Sequence, residues 1–158
     1  MDQNKSYTAK ITANANATNE ITPPNAPVLA DGMIPIVYNG TTWVKANATG
    51  DYNQWYDYGN KQWANAVMVS SATRDTYMTA DVGTPVLETD ILAYYVWIPR
   101  YTIQEVTNKV IFSNLTNDVT MHEGESYTTL DAFQYESSIG TVQLTGIWVS
   151  KYEAGFRY

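Results

Sequence analysis

The sequence contains no cysteine. Disulfide bonds, thiolate metal sites and cysteine nucleophiles are therefore excluded. Basic residues are also scarce, because the chain has nine Lys and Arg against sixteen Asp and Glu, which gives a net charge of −7. Since no basic stripe is present to neutralise phosphate groups, we expect no nucleic-acid binding.

Long apolar runs are missing as well. No stretch of about 18 apolar residues occurs, so we expect no membrane-spanning segment in this chain. The N-terminal residues Met1–Ser6 are polar and have no apolar stretch of the kind that a signal peptide requires. The two common glycine motifs that bind phosphate groups are also absent, and we expect no cofactor.

The sequence is rich in two aromatic residue types, with thirteen Tyr and five Trp against three Phe. Tyr and Trp combine a large apolar body with a polar group, which suits half-buried strand faces and binding surfaces. Together with abundant Thr, Val and Asn, this composition favours strands and turns over helices. The sequence therefore predicts a mainly β fold, with antiparallel hairpins in a small sheet module followed by the start of a second β-rich region.

Two similar segments, offset by twenty residues, predict β-hairpins. The first has Tyr38-Asn39-Gly40 followed by Trp43, and the second has Tyr58-Gly59-Asn60 followed by Trp63. Asn-Gly and Gly-Asn pairs tolerate positive φ and are favoured in two-residue hairpin turns. Two copies are too few for a repeat array, so we interpret the match as two similar hairpins.

The chain divides into three predicted regions. Residues 1–27 are polar and of low complexity, and they predict a linker or an extended arm that ends in several prolines. Residues 28–101 form the aromatic hairpin module, which includes the most apolar run of the sequence, Ile91–Tyr101. Residues 102–158 form a β-rich region that we expect to be truncated, since it stops shortly after a strongly β segment, Val142–Tyr152.

Three motifs resemble known proteins. Trp55–Ala66 and Leu92–Tyr101 resemble a group of poorly characterised bacterial and prophage surface proteins, some like tail fibres and others like exported pilins. Gly146–Ala154 is similar to the opening of domains of the formylglycine-generating-enzyme type, which have a C-type-lectin-like fold. The resemblance implies a C-type-lectin-like second region. It implies no catalytic activity, because the enzymes of that family use cysteines and metal ligands further along the domain.

Catalytic and metal-binding groups have little support in the sequence. The only histidine, His122, lies beside Glu123 in a polar stretch, where a lone histidine is more often a solvated loop residue than a proton shuttle. Two loose acidic groups lack the spacing of calcium loops, so a solvated acidic face is the preferred interpretation. We therefore expect no enzyme and no metal site. The acidic groups are Asp81, Glu88 and Asp90, and Glu123 and Glu125.

Binding by aromatic side chains remains open. Tyr52, Trp55 and Tyr56 lie beside Gly50-Asp51 in a predicted loop, where core packing and an exposed binding role are equally compatible with the sequence. These three are the candidate ligand-binding residues. The tryptophans expected in the core, because they have apolar neighbours, are Trp43, Trp63 and Trp97.

These features favour a non-enzymatic structural or adhesive segment of a bacterial surface protein or phage appendage, located outside the cell, at its surface or on a virion. The expected partners are a host-surface glycan or other copies or subunits, which would pair with an exposed strand edge at Ile34–Val37 or Val142–Val149. A carbohydrate- or choline-binding module that uses exposed aromatic side chains is the second hypothesis. The third is the truncated N-terminal part of a formylglycine-generating-type enzyme.

Overall fold

The computed structural model describes residues 24–49 and 55–152. In these ranges the chain is mainly β with antiparallel sheets, so the predicted fold class is confirmed. No helix in the described part is long and apolar enough to cross a membrane. The strands are β1 (Met33–Tyr38), β2 (Trp43–Lys45), β3 (Asn65–Val69), β4 (Ile91–Pro99), β5 (Tyr101–Gln104), β6 (Lys109–Phe112), β7 (Met121–His122), β8 (Glu125–Ser126), β9 (Thr128–Thr129), β10 (Gln134–Ser137), β11 (Gly140–Gln143) and β12 (Gly146–Ser150).

The main sheet has five strands in the order β12-β4-β3-β1-β2. The apolar run after Asp90 forms β4, and β12 pairs along it from Gly146 opposite Pro99 to Ser150 opposite Tyr95. Because β12 belongs to the predicted region 102–158, the main sheet draws strands from both predicted β regions.

Three smaller sheets and short helical segments complete the described fold. The smaller sheets have the orders β6-β5-β9, β10-β11 and β7-β8. The single α-helix of the described part, α1, spans Arg74–Thr79, and short 3-10 segments span Glu88–Asp90 and Asp131–Phe133. The Lys45 Nζ atom donates hydrogen bonds of 2.6 and 2.7 Å to the carbonyls of Met78 and Ala80. This cation stabilises the C-terminal end of α1, whose carbonyls have no partner within the helix.

The first predicted hairpin is confirmed, with a longer turn. In β1 and β2, Tyr38 lies opposite Trp43, so the connection is Asn39–Thr42 instead of two residues. The Asn39 side chain explains the difference, because its Oδ1 accepts hydrogen bonds of 3.0 and 2.9 Å from the backbone N–H groups of Thr41 and Thr42. Gly40 has a φ of +96°, a conformation that suits glycine.

The second predicted hairpin is reduced to one bridge. Asp57 and Gln62 exchange two backbone hydrogen bonds of 2.9 and 2.8 Å, without extended strands on either side. The Asp57 carboxylate accepts hydrogen bonds from the backbone and side chain of Asn60, at 3.1 and 2.7 Å. The positive φ falls at Lys61, at 61°, and not at Gly59.

Both hairpins carry the same edge-to-face Tyr–Trp pair. The ring centroids lie 5.4 Å apart in Tyr38–Trp43 and 5.3 Å apart in Tyr58–Trp63. This arrangement matches the preferred geometry of aromatic pairs. The two segments offset by twenty residues therefore share a Tyr–Trp ring contact, although only the first has extended strands.

The main sheet packs apolar side chains on both faces. Ile36 lies opposite Asn65, and Asn65 lies opposite Val96, so alternation along β4 directs Trp97 to the other face from Ile36. The cluster on the first face contains Ile34, Ile36, Val67, Val69, Tyr77 and Val86. The cluster on the second face, here called the aromatic cluster, contains Ala46, Trp55, Tyr56, Ala64 and Trp97, with Leu29, Val37, Tyr58 and Trp148 packed against it.

The two edges of the main sheet differ. The β2 edge is covered, because Val44 forms a bridge with Pro85 and the adjoining backbone groups bond to residues 83–86. In the described part of the chain, β12 pairs only with β4. Of the two predicted edge segments, Val142–Val149 contains most of β12, which is an edge strand of the main sheet. The prediction of an edge at Ile34–Val37 is wrong, because β1 lies between β3 and β2.

Candidate functional site

Two of the three predicted ligand-binding residues, Trp55 and Tyr56, belong to the aromatic cluster. Trp55 is 3% exposed and Tyr56 is 9% exposed. Both side chains therefore pack in the core, and neither is exposed as a loop binding residue would be. Tyr52 lies outside the described residues, and its ligand-binding role stays a prediction.

The Trp55 side chain is held by rings and by a backbone hydrogen bond. Its ring centroid lies 5.8 Å from that of Tyr56 and 6.2 Å from that of Trp148, and its Nε1 donates to the carbonyl of Asn65 at 2.8 Å. Tyr56 in turn packs on Tyr58 at 5.0 Å. Burial, with a smaller effect of Tyr56, raises the pKa of the Tyr58 hydroxyl well above its usual value. These rings have the surroundings of structural side chains.

Residues 24–29, here called the strap, lie against the aromatic cluster. The Nε1 atom of Trp97 donates to the carbonyl of Asn25 at 3.1 Å, and the Nε1 atom of Trp148 donates to that of Val28 at 2.7 Å. Leu29 packs against the same cluster. Both indole N–H groups are therefore used to hold the strap in place.

Asn25 anchors the strap. Its side chain donates hydrogen bonds to the carbonyls of Leu115 and Thr145 at 2.8 and 2.9 Å and accepts one from the Leu115 N–H at 2.8 Å. Only 8% of Asn25 is exposed. This residue, placed by the sequence in a linker, is therefore part of the packed structure.

We expect Asn25→Ala to lower the free energy of unfolding by about 1–3 kcal/mol, since it removes the partners of the Leu115 N–H and carbonyl groups and one of the two donors to the Thr145 carbonyl in a partly buried site. Urea denaturation followed by Trp fluorescence measures the change. Asn117→Ala, at an exposed position, serves as control and should stay within about 0.5 kcal/mol of the parent. Equal effects of the two substitutions would contradict an anchoring role for Asn25.

A second arrangement, here called the ammonium site, lies beyond the end of β12. The Lys151 Nζ atom lies 4.9 Å from the ring centroid of Trp43 and 2.9 Å from the Oδ1 atom of Asn65. The Nδ2 atom of Asn65 donates to the carbonyl of Trp63 at 2.8 Å, which fixes the orientation of the amide. Burial lowers the pKa of the Lys151 ammonium group.

Two tyrosines extend the ring surface beside the ammonium site. The Tyr94 ring lies 6.1 Å from Trp43 and 5.5 Å from Tyr152, measured between centroids. Burial raises the pKa of the Tyr94 hydroxyl, and the charges of Glu88 and Tyr152 raise it further. The backbone N–H of Lys151 also bonds to the carbonyl of Tyr94 at 2.9 Å, so the lysine is held at both ends.

A third polar cluster lies where β4 ends. Arg100 is 3% exposed, and its Nε and Nη2 atoms both donate to the carboxylate of Asp118 at 2.7 Å. Its Nη1 atom donates to the carbonyls of Phe133 and Leu144 at 2.8 and 3.1 Å, and Nη2 also donates to the Gln143 side chain at 2.8 Å. These bonds use all five N–H groups of a guanidinium.

The Asp118 carboxylate is equally well paired. Besides Arg100, it accepts hydrogen bonds from the hydroxyls of Ser113 and Thr129, at 2.6 and 2.7 Å. The hydrogen bond from Arg100 is the main cause that lowers the pKa of Asp118 to about 2; Ser113 and Thr129 add to it, and burial opposes it. The cluster joins four segments of the chain and has the closed geometry of a structural ion pair.

The remaining titratable residues named by the sequence do not assemble. The His122 Nε2 atom lies 3.8 Å from the Glu123 carboxylate, and both side chains are exposed to solvent. Asp90 accepts a hydrogen bond of 2.7 Å from the Tyr77 hydroxyl, which ties it to α1. Within residues 24–49 and 55–152, no group of three or more His, Asp or Glu is arranged to hold a metal ion.

The predicted core tryptophans differ in burial. Trp97 is 3% exposed, as expected for a core residue. Trp43 is half-buried and packs against the first apolar cluster, and Trp63 is half-buried against Tyr58. The sequence interpretation is confirmed for Trp97 and is only partly right for the other two.

The comparisons with known proteins give no relative. No protein-family model, no curated protein and no solved structure matches the chain. The resemblances to tail-fibre-like, pilin-like and formylglycine-generating-type proteins therefore stay predictions.

The residues that organise most of the buried polar contacts were missed by sequence reasoning. Arg100 had a usable signal, because a charged residue directly after a long apolar run is expected at a buried strand end and needs a partner. Asn25 and Asp118 had none, since each lies in a polar stretch like many others in the sequence, and Lys151 had none, since a lysine at the end of a β segment is usually solvated.

Proposed function

We propose that the chain is a non-enzymatic structural or adhesive segment of a bacterial surface protein or phage appendage. The observation that carries this proposal is that the buried Arg100 guanidinium and two indole N–H groups of the aromatic cluster bind partners within the chain. All five Arg100 donors bind within the chain, and the indole N–H groups of Trp97 and Trp148 bind the strap. Such internal pairing supports a fixed shape more than it supports chemistry on a substrate.

The β12 edge supports assembly with other copies or subunits. Just outside the two ends of the β12–β4 pairing, the Arg100 N–H donates to the Thr145 carbonyl and the Lys151 N–H donates to the Tyr94 carbonyl. Thr145 and Lys151 therefore direct their backbone groups toward β4. By alternation, Gly146, Trp148 and Ser150 direct their backbone groups away from β4. The five residues of β12 carry no charge. Since lysines, prolines and bulges are the usual protection of an edge, an uncharged edge of this kind favours strand pairing with a partner.

We expect the full chain to associate as its concentration rises and Ser150→Pro to weaken that association at least about tenfold, because the substitution removes an outward-facing N–H group without touching a bond to β4. Light scattering over a concentration series measures the association. Ser150→Ala is the matched control, since it keeps the N–H group, and it should behave as the parent. A chain that stays monomeric throughout, or equal behaviour of both variants, would exclude assembly through β12.

A further inference from the structure

We propose that Trp43 and Asn65 form a binding site for a primary alkylammonium group, and that Lys151 fills this site as a tethered ligand. The two residues that form the walls of the site, Trp43 and Asn65, and the lysine that occupies it come from different parts of the fold. Trp43 lies in β2, Asn65 lies in β3, and Lys151 follows β12 at the opposite edge of the main sheet. The lysine thus crosses β4 to reach walls that other strands hold in place.

Among the described residues, no carboxylate pairs with the Lys151 ammonium group. Its partners are the Asn65 Oδ1 atom, at 2.9 Å, and the Trp43 ring, at 4.9 Å from the centroid. An indole face and an amide oxygen are neutral groups that both attract a cation. These two contacts oppose the cost of burying the ammonium group, and they are the contacts that a bound alkylammonium would make.

The orientation of Asn65 selects a primary ammonium over a quaternary one. Because Nδ2 is committed to the Trp63 carbonyl at 2.8 Å, Oδ1 faces the cation as a fixed acceptor. A primary ammonium supplies an N–H group to this oxygen, whereas a quaternary ammonium such as choline has none and would leave it unpaired. The ligand class is therefore an alkylammonium of the lysine type, and choline is disfavoured.

The ring wall is already in place. Trp43 is supported by Tyr38 on one side, at 5.4 Å, and by Tyr94 on another, at 6.1 Å between centroids. Trp43 is also held in β2, whose outer edge is covered by residues 83–86. Because these supports do not involve Lys151, the site persists when the lysine side chain is removed and is open to an amine from solution or from a lysine of a partner.

The proposal is tested by emptying the site and refilling it. Lys151→Ala removes the tethered ligand, and n-butylammonium has the four carbons and the ammonium group of a complete lysine side chain. We expect the midpoint temperature of K151A to rise by about 3–5 °C when n-butylammonium exceeds its dissociation constant tenfold, with a change in Trp fluorescence. The parent chain, whose site is filled, should show no such rise.

Four controls separate cation recognition from other effects. Butan-1-ol, the neutral isostere, and tetramethylammonium should each give less than half of the rise. The double variant K151A with Trp43→Leu should lose the response, and Lys109→Ala, which removes a surface lysine paired with Glu125, should gain none. A rise as large with butan-1-ol as with n-butylammonium, or no rise in K151A, would overturn the proposal. Should K151A not fold alone, its refolding yield with and without n-butylammonium is the readout, with the same expected order of additives.

Discussion

Gly146→Ala is expected to destabilise the chain by about 3 kcal/mol or more, the upper end of the cost of overpacking a core. A Cβ atom at this position would lie 2.3 Å from Cζ2 of Trp97 and 2.6 Å from the carbonyl oxygen of Ile98. The Trp97 ring is buried and the Ile98 carbonyl is backbone of β4, so neither can move without loss of packing or of β12 pairing. Glycine is thus required at position 146, because the Trp97 ring and the Ile98 carbonyl leave no room for a Cβ atom.

Thermal unfolding followed by circular dichroism measures the effect, and a fall in midpoint temperature of about 6–12 °C corresponds to the expected loss. Gly59→Ala is the matched control, because a Cβ atom there would meet only the Asp57 carboxylate, at 3.2 Å, and Gly59 has no positive φ. The control should change the midpoint by less than about 2 °C. Similar losses in the two variants would refute the close-approach explanation.

Arg100→Met is expected to cost about 3–5 kcal/mol, because it leaves the Asp118 carboxylate in a partly buried site without its counter-charge. The Leu144 carbonyl and the Gln143 side chain lose the Arg100 donor in the same step, and the Phe133 carbonyl keeps only the Leu144 N–H. Asp118→Asn should cost a comparable amount, since it leaves the Arg100 guanidinium uncompensated. Asp131→Asn, at an exposed position, is the control and should stay within about 0.5 kcal/mol.

The ion pair also predicts a pH dependence with a defined sign. The folded chain holds the pKa of Asp118 at about 2, below the usual 3.8. A carboxyl with a lowered pKa stabilises the fold fully above its unfolded pKa, and this contribution is lost as the pH falls through the folded pKa. We therefore expect the stability difference between the parent and Asp118→Asn to stay constant from pH 7 to about 5 and to shrink between about pH 4 and 2. Urea denaturation across this range measures it, and a difference that does not shrink would contradict the assignment.

The local elements were predictable because their signals are local. The apolar run at Ile91 predicts β4, and the repeated Tyr–turn–Trp pattern predicts the first hairpin and the position of the Asp57–Gln62 bridge. The turn lengths were not predictable from dipeptides alone, because the side chains of Asn39 and Asp57 reshape the turns by bonding to backbone N–H groups further along. The alternation of apolar and polar residues along a strand does not reveal these side-chain hydrogen bonds.

The long-range contacts were not predictable from a single sequence. β12 pairs with β4 across about fifty residues of chain, and nothing in either strand specifies that partner. The same applies to the polar anchors, since Asn25 reaches Leu115 and Thr145, and Lys151 reaches Asn65. The burial of Trp55 follows from these contacts, because Trp148 arrives on β12 to stack against it. A loop expectation based on Gly50-Asp51 could not foresee that partner.

The strap has a mechanical consequence. Asn25 is bonded to Thr145, and Val28 to the indole of Trp148, so the strap is fastened directly to β12 and the residue before it. Tension applied between Pro24 and Tyr152 therefore acts first on these hydrogen bonds and on β12, which lie on a shorter path than the covalent chain through β1, β2 and β3. The covalent path takes up the pull only after the strap detaches.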